Sequence, residues 1–255
     1  MSEVRMFVRQ LGYVNKAFWR NPSSAFFTFA FPLMFLVIFT SLLGHGRIHL
    51  PGRTVDTSTY YVAAMAAFSV ISSCYTNISI GLTVQRDTGV LKRTRGAPIS
   101  SGVFLASRLV HALFVSVLLV AITAAFGRIL YQADIPVGLS LVHFLVVLVV
   151  GALAFCALGF AITAAIPNAE AAPAIVNATI LPLLFLSGVF IPLGARAPSW
   201  IVWIGKVFPV RHFAAGMQAG FLNVSFNWND VVFVALWGLA GFVVARRYFS
   251  WEPRV

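Results

Sequence analysis

Long runs without a charged residue are the strongest constraint on what this chain can fold into. Apolar stretches of about twenty residues recur along the sequence, and each can cross the hydrocarbon core of a bilayer as a helix. The chain is 60% hydrophobic and 10% charged, with a mean hydropathy of +0.90, which exceeds what a soluble core of 255 residues needs. The composition therefore predicts an all-α, multi-span membrane protein.

Six membrane-spanning helices account for these runs, within a single transmembrane domain over residues 25–255. Their predicted ranges are 25–44, 60–83, 104–126, 140–166, 174–191 and 231–249, and a short polar loop is expected over residues 45–58. Residues 1–24 place apolar side chains at three- and four-residue steps, which predicts an amphipathic helix at the membrane surface. This helix either touches a cytoplasmic partner or is a simple surface anchor.

The region before the last span, residues 192–229, has a different pattern. It is moderately apolar but broken by Pro198 and Pro209, so it is too interrupted for an ordinary span. Two short helices that re-enter from the outer leaflet would satisfy its backbone and keep its aromatic rings at the interface. We therefore predict a re-entrant outer segment.

The uneven distribution of basic residues predicts the orientation. Twelve of the eighteen Lys and Arg residues lie on the side that carries both termini. Because cytoplasmic flanks carry the excess of Lys and Arg, both termini are predicted to be cytoplasmic, with the chain in the cell membrane. The net charge of +11 is thereby explained by membrane orientation, and no nucleic-acid partner is predicted.

The loop at residues 84–103 holds the densest internal charge. Five charged residues fall within ten positions: Arg86, Asp87, Lys92, Arg93 and Arg95. We expect Arg86 and Asp87 to start a short surface helix, where a carboxylate suits the positive end of the helix dipole. Pro98 disfavours helix at the residue before it, so this helix should end by about residue 97. Glu170, in a second cytoplasmic return, is either a further partner contact or a solvated loop charge.

Hydroxyl side chains recur at helical intervals along the second predicted span. This face either lines a substrate path or packs against another helix, and hydroxyl and small side chains commonly serve packing in lipid. With bulky residues of the first and fifth spans, the candidate substrate-path residues are Phe35, Ser69, Ser72, Ser73, Thr76, Asn77, Asn177 and Phe185. Such a path suits a bulky, amphipathic substrate.

Several catalytic signatures are absent from the sequence. No lysine is followed by Ser or Thr in a phosphate-binding loop, and no His-Glu-x-x-His, paired-cysteine or Gly-x-Ser-x-Gly motif occurs. The chain is therefore expected to bind no cofactor or metal and to be no enzyme by itself. Ion coupling usually needs ionisable groups at mid-membrane, whereas Asp87 and Glu170 lie in predicted loops, which disfavours an ion-coupled carrier.

Together these features resemble the membrane subunit of a type-2 ABC exporter, in the daunorubicin-resistance-like group, over nearly the whole chain. The family's charged loop is similar to residues 85–99, which depart from it at Gln85, where the family often has an acid, and in the basic pair Lys92 and Arg93. Residues 186–192, 198–200 and 208–211 resemble the family's closing segment in order and spacing.

The resemblance implies a separate ATP-binding subunit that holds ATP and Mg, and a second permease chain, identical or related. It implies efflux of a drug, antibiotic, natural product or lipid, and hence antibiotic resistance. The ATPase-coupling residues that it implies are Arg86, Asp87, Gly89, Leu91, Lys92, Arg95, Pro98 and Glu170. Alternatives are a polysaccharide or glycolipid exporter of the same family, an ion-coupled secondary transporter and a structural membrane protein. Residues alone do not distinguish export from import.

Overall fold

The computed structural model describes residues 3–43, 46–50, 53–96, 99–193 and 197–252, and it is almost entirely helical. The helices are α1 (Glu3–Trp19), α2 (Pro22–Leu43), α3 (Thr57–Ile71), α4 (Asn77–Asp87), α5 (Val90–Arg95), α6 (Ser101–Tyr131), α7 (Gly138–Ile162), α8 (Ala172–Leu186), α9 (Ser199–Val207), α10 (Pro209–Phe221) and α11 (Trp228–Tyr248). A π-helical segment, Ser72–Thr76, joins α3 and α4 into one continuous helix.

Among the described residues, five helical stretches are long and apolar enough to cross a membrane. They are Ala25–Leu43, Thr57–Asp87, Ser101–Tyr131, Gly138–Ile162 and Trp228–Tyr248. These ranges overlap five of the six predicted spans, although their ends differ by several residues. The predicted all-α membrane protein is therefore confirmed.

Helix α8 is shorter than the span predicted over residues 174–191. Its 15 residues give a length of about 22 Å, less than the roughly 30 Å of a bilayer's hydrocarbon core. The chain leaves the helix because Gly188 adopts φ +77°, a left-handed conformation, and the Tyr60 hydroxyl donates a hydrogen bond to the Gly188 carbonyl. The six-span arrangement as a whole stays a prediction.

The segment predicted as a polar loop over residues 45–58 contains a β-hairpin. Strands β1 (Arg47–Leu50) and β2 (Arg53–Asp56) pair antiparallel, with Arg47 opposite Asp56. The backbone N–H and the hydroxyl of Thr57 both donate to the Gly46 carbonyl, which closes the base of the hairpin. Ladder hydrogen bonds therefore satisfy backbone groups that a loop would leave to water.

The interrupted region before the last helix contains two short helices, α9 and α10, as the sequence predicts. Pro209 lies in the first turn of α10, where its missing N–H costs no intrahelical hydrogen bond. His212 Nδ1 of α10 and Asp230 Oδ1 of α11 are 2.5 Å apart, within hydrogen-bond distance. The depth of α9 and α10 in a bilayer, and hence the re-entrant segment, stays a prediction.

Helix α3 forms the centre of the core. All of its residues except Ser58 are buried, and it contacts α2, α6, α7 and α10. Small side chains at four positions, Ala63, Ala64, Ala66 and Ala67, let the neighbouring backbones come close. Helices α7 and α11 form the most extensive helix pair beside this centre.

The π-helical segment meets α7 at a very close backbone approach. A Cβ atom on Gly159 would lie 2.9 Å from the Cys74 carbonyl oxygen and 3.1 Å from that of Tyr75. The Ser79 hydroxyl donates to the Gly159 carbonyl oxygen at 3.1 Å. Only glycine fits this contact without a backbone shift.

We expect Gly159→Ala to lower the stability of the purified protein by about 1–2 kcal/mol relative to Gly81→Ala, because the new methyl group meets backbone atoms. Gly81 is the matched control, since it is also helical but has no atom within 4 Å of its would-be Cβ. Thermal unfolding in detergent measures both variants. Equal melting temperatures would mean that α7 adjusts without cost.

Candidate functional site

The charged loop is anchored by a buried arginine. Arg86 is 2% exposed, and its guanidinium donates hydrogen bonds to three backbone carbonyls of the α7–α8 turn. The donor–acceptor distances are 3.1 Å to Thr163, 2.9 Å to Ile166 and 3.0 Å to Pro167. A buried charge is tolerated when its donors are satisfied in this way.

Asp87 completes the connection between the two loops. Its Oδ1 accepts from Arg86 Nε at 3.1 Å, and its Oδ2 accepts from the Ala169 backbone N–H at 2.5 Å. Glu170, which is exposed, directly follows Ala169 in the same turn. The two predicted cytoplasmic contact regions are thus joined by what we call the Arg86–Asp87 clamp.

The clamp corrects the predicted start of the surface helix. Arg86 and Asp87 lie at the C-terminal end of α4, not at the start of a new helix. Gly89, at φ +72°, then reverses the chain, and α5 begins at Val90. The expectation failed because Arg86 finds its acceptors some eighty residues away in sequence, which local spacing does not reveal.

Helix α5 is the exposed part of the charged loop. Leu91 is fully buried and fixes the helix to the protein, while Lys92, Arg93 and Arg95 are exposed. The result is a short helix with a basic outer face. Pro98, also predicted to belong to this site, lies outside the described residues.

Sequence reasoning missed a second anchor of the loop. Arg108 of α6 donates a hydrogen bond from Nη2 to Gln85 Oε1, and its guanidinium lies 4.9 Å from the centre of the Phe104 ring. Gln85, the position at which the sequence departs from the family pattern, is therefore the partner of Arg108. The only sequence signal was Arg108 itself, a charge inside an apolar run.

The predicted polar face of the second span is mostly internal. Ser69 donates to the Met65 carbonyl within its own helix, Ser73 donates to the Ala112 carbonyl of α6, and both serines are buried. Asn77 donates to the Thr28 hydroxyl of α2 at 3.2 Å. These contacts favour helix packing over a substrate path, while Ser72 and Thr76 are partly exposed and Asn177 is exposed on α8.

Phe35 and Phe185 instead belong to one continuous set of rings, the aromatic strip. Its members are Phe27, Phe31, Phe35 and Phe39 of α2, Phe68 of α3, Phe185 of α8, and Phe190. The ring centres of Phe35 and Phe190 are 5.4 Å apart, and those of Phe185 and Phe190 are 4.9 Å apart. Because Phe31 is 40% and Phe185 48% exposed, the strip presents apolar surface beyond the protomer's own core.

An apolar cavity of about 700 Å³ lies between α7, α8, α10 and α11. Its lining includes Tyr75 and Thr179, whose hydroxyl oxygens are 2.8 Å apart. No predicted path residue lines this cavity. Within the described ranges, no cluster of three or more His, Cys, Asp or Glu residues is arranged to hold a metal ion.

We expect Arg86→Met to destabilise the protein by about 3 kcal/mol or more, because it leaves buried carbonyls unbonded and Asp87 without its cation. Arg93→Met is the matched control, since the Arg93 side chain is exposed and reaches only the Thr88 carbonyl, at 3.5 Å. Thermal unfolding in detergent compares the two. If Arg86→Met and Arg93→Met unfold at the same temperature, the clamp does not stabilise the fold.

Comparison with known proteins matches this architecture to one family. The profile of the ABC-2 type transporter family matches residues 11–222, which is most of the chain. The chain is 26% identical over 227 residues to an inner membrane transport permease, YadH, of Escherichia coli strain K12, covering 86% of this chain and 82% of that protein. It is 24% identical over 227 residues to a putative transport permease, ycf38, of Porphyra purpurea, covering 86% and 75%.

These matches agree with the membrane helices and with the absence of catalytic motifs from the sequence. The relatives are named as transport permeases, and the family implies an ATPase partner and a lipid bilayer. The chain therefore belongs to the ABC-2 type transporter family, as a multi-pass membrane permease.

Proposed function

We propose that this chain is the membrane subunit of an ATP-driven exporter, and that it moves a hydrophobic or amphipathic molecule such as a drug, antibiotic, natural product or lipid out of the cell. A separate subunit binds ATP and Mg, and this chain binds neither. The observation that carries the proposal is that one chain combines a clamped, basic α5 with a partly exposed aromatic strip. The first offers a contact for the ATPase, and the second offers an apolar surface for the substrate.

The clamp supports transmission of force from the ATPase. A push on α5 acts on Gly89 and Asp87, and the Arg86–Asp87 clamp passes it to the α7–α8 turn and thereby to α7 and α8. Arg108 links the same loop to α6. One contact point on the cytoplasmic side is thus connected to four membrane helices, α4, α6, α7 and α8.

The aromatic strip supports the substrate class and a second permease chain. Phe27, Phe31 and Phe185 are the exposed rings of the strip, whereas Phe68 and Phe190 are buried beneath them, so the exposed part suits a bulky apolar or amphipathic molecule. In the proposed assembly the strips of two permease chains, identical or related, face one another across the substrate path. Both termini lie in the cytoplasm, and the assembly resides in the cell membrane.

A glycolipid or polysaccharide exporter is the second candidate, and one observation favours it. A polar cavity of about 450 Å³ lies between the turn after α8, helix α10 and the start of α11. Its lining includes Arg211, Gln218 and Asn227, together with Ser187, whose buried hydroxyl has no hydrogen-bond partner among the described residues. Donors and acceptors of this kind suit the hydroxyl groups of a sugar.

The ATPase contact is tested by reversing charges on α5. We expect the double variant Lys92→Glu, Arg95→Glu to bind the ATPase roughly tenfold more weakly and to lower substrate-stimulated ATP hydrolysis, because two exposed attractions become repulsions. Co-purification from detergent-solubilised membranes measures binding. Arg247→Glu, an exposed reversal outside α5, is the control, and an equal loss in both variants would contradict a specific α5 contact.

The substrate path is tested by truncating exposed rings. In proteoliposomes that contain the partner ATPase, we expect Phe31→Ala, Phe185→Ala to lower transport of a labelled lipophilic compound about tenfold, because two exposed apolar contacts are lost. Phe114→Ala is the control, since Phe114 is 55% exposed on α6, outside the aromatic strip. The second candidate would instead be established if the protein transported a labelled glycolipid but not the lipophilic compound, and if substitution of Gln218 abolished the glycolipid transport.

A further inference from the structure

A long apolar groove lies between α6, α7 and α11, apart from the aromatic strip and the Arg86–Asp87 clamp. It has a volume of about 950 Å³. Its lining is mostly carbon and includes Leu105, Leu109, Leu153, Ala157, Leu239 and Phe242. Along α11 it extends from Ala235 to Phe249, which corresponds to about 20 Å of helix. Helix α11 packs extensively against α7, whereas α6 contacts α7 at far fewer residues. The groove is the space that this leaves between the three helices.

Polar character is concentrated at one end of this groove. Arg246 lines that end and is exposed, and it forms no ion pair or hydrogen bond with any residue in the described part of the chain. Ser101 and Gly102, the first residues of α6, line the groove as well. The Trp251 ring closes this end, with its centre 5.3 Å from the Phe104 ring centre. The groove is thus apolar over most of its length, and within the described part of the chain Arg246 is the one cation at its end.

We propose that this groove binds an anionic phospholipid, with an acyl chain along the apolar lining and the phosphate at Arg246. The charge is complementary, because Arg246 is the one formal charge among the described residues that line the groove. The length of about 20 Å suits a chain that descends from the headgroup region into one leaflet. Trp251 comes three residues after the last span, and indole rings of membrane proteins commonly reside at the level of the headgroups, so its place in the chain fits the proposed site.

The predicted orientation supports an anionic lipid rather than a neutral one. Arg246 lies in the last turn of the last span, at the end to which the charge distribution assigns the cytoplasm, and the cytoplasmic leaflet carries the anionic lipids. Basic pockets between membrane helices on that side bind anionic headgroups. The proposal is independent of the transported substrate.

The test compares two lipids that differ only in headgroup. Native mass spectrometry of the delipidated, purified full-length protein measures binding of phosphatidylglycerol and phosphatidylcholine with identical acyl chains. We expect wild-type protein to prefer phosphatidylglycerol, and Arg246→Gln to lower that preference about fivefold. Arg247→Gln is the control, because it removes the same charge from the adjacent position. The Arg247 guanidinium lies over the Tyr248 ring and does not line the groove. The Arg247→Gln protein should therefore keep the wild-type preference for phosphatidylglycerol.

A second variant tests the acyl-chain position. Ala106 is exposed on α6 and lines the groove, so Ala106→Trp should fill it and weaken binding of both lipids. Val117→Trp is the control, because Val117 is exposed on the same helix outside the groove. Both changes place a ring on a surface that is already exposed, so folding should be retained.

Four outcomes would overturn the proposal. They are no headgroup preference in the wild-type protein, equal losses in Arg246→Gln and Arg247→Gln, full lipid binding by Ala106→Trp, and a disulfide between two Leu239→Cys chains in native membranes. The last result would show that a second copy of the chain covers the groove. Failure of the ATPase or transport experiments would leave the lipid proposal unaffected, because lipid binding is measured without either activity.

Discussion

The burial of α3 on all sides is the constraint on which the rest of the structure depends. A helix surrounded by four others needs small side chains for close approach, and its hydroxyl groups need partners inside the protein. Alanines provide the small side chains, and hydrogen bonds such as that of the Tyr60 hydroxyl to the Gly188 carbonyl provide the partners. The outer helices are arranged around this centre, so their remaining faces are free for lipid, substrate or partner chains.

The sequence predicted the features that follow from local pattern. Apolar runs located five long helices, and prolines separated the two short helices α9 and α10. Features set by distant contacts were not predictable in this way. Tyr60 holds the turn that ends α8 early, and the acceptors of Arg86 lie in a turn far along the chain. The spacing of residues along the sequence does not reveal that residues so far apart in the chain are in contact.

The candidate site shows the same contrast between features that local sequence pattern predicts and features that distant contacts determine. The basic cluster between two spans was predicted to lie outside the hydrocarbon, and Lys92, Arg93 and Arg95 are exposed on α5, while their contact with an ATPase stays a prediction. Arg86 was assigned to the same surface, yet it is one of the most buried charges in the described ranges. Sequence composition predicts a side of the membrane, whereas only tertiary structure distinguishes an exposed arginine from one that ties two loops together.

The π-helical segment explains why the hydroxyl stripe is not one face. In a regular α-helix each residue is rotated by about 100° from the one before, so one additional residue within a turn redirects everything that follows. Ser73, within the segment, donates to α6, whereas Ser79, beyond it, donates to α7. Arg86, also beyond the segment, donates to the α7–α8 turn. The number of residues in the segment from Ser72 to Thr76 thus sets the rotation of α4 about the helix axis relative to α3, and with it the neighbour that each α4 side chain meets.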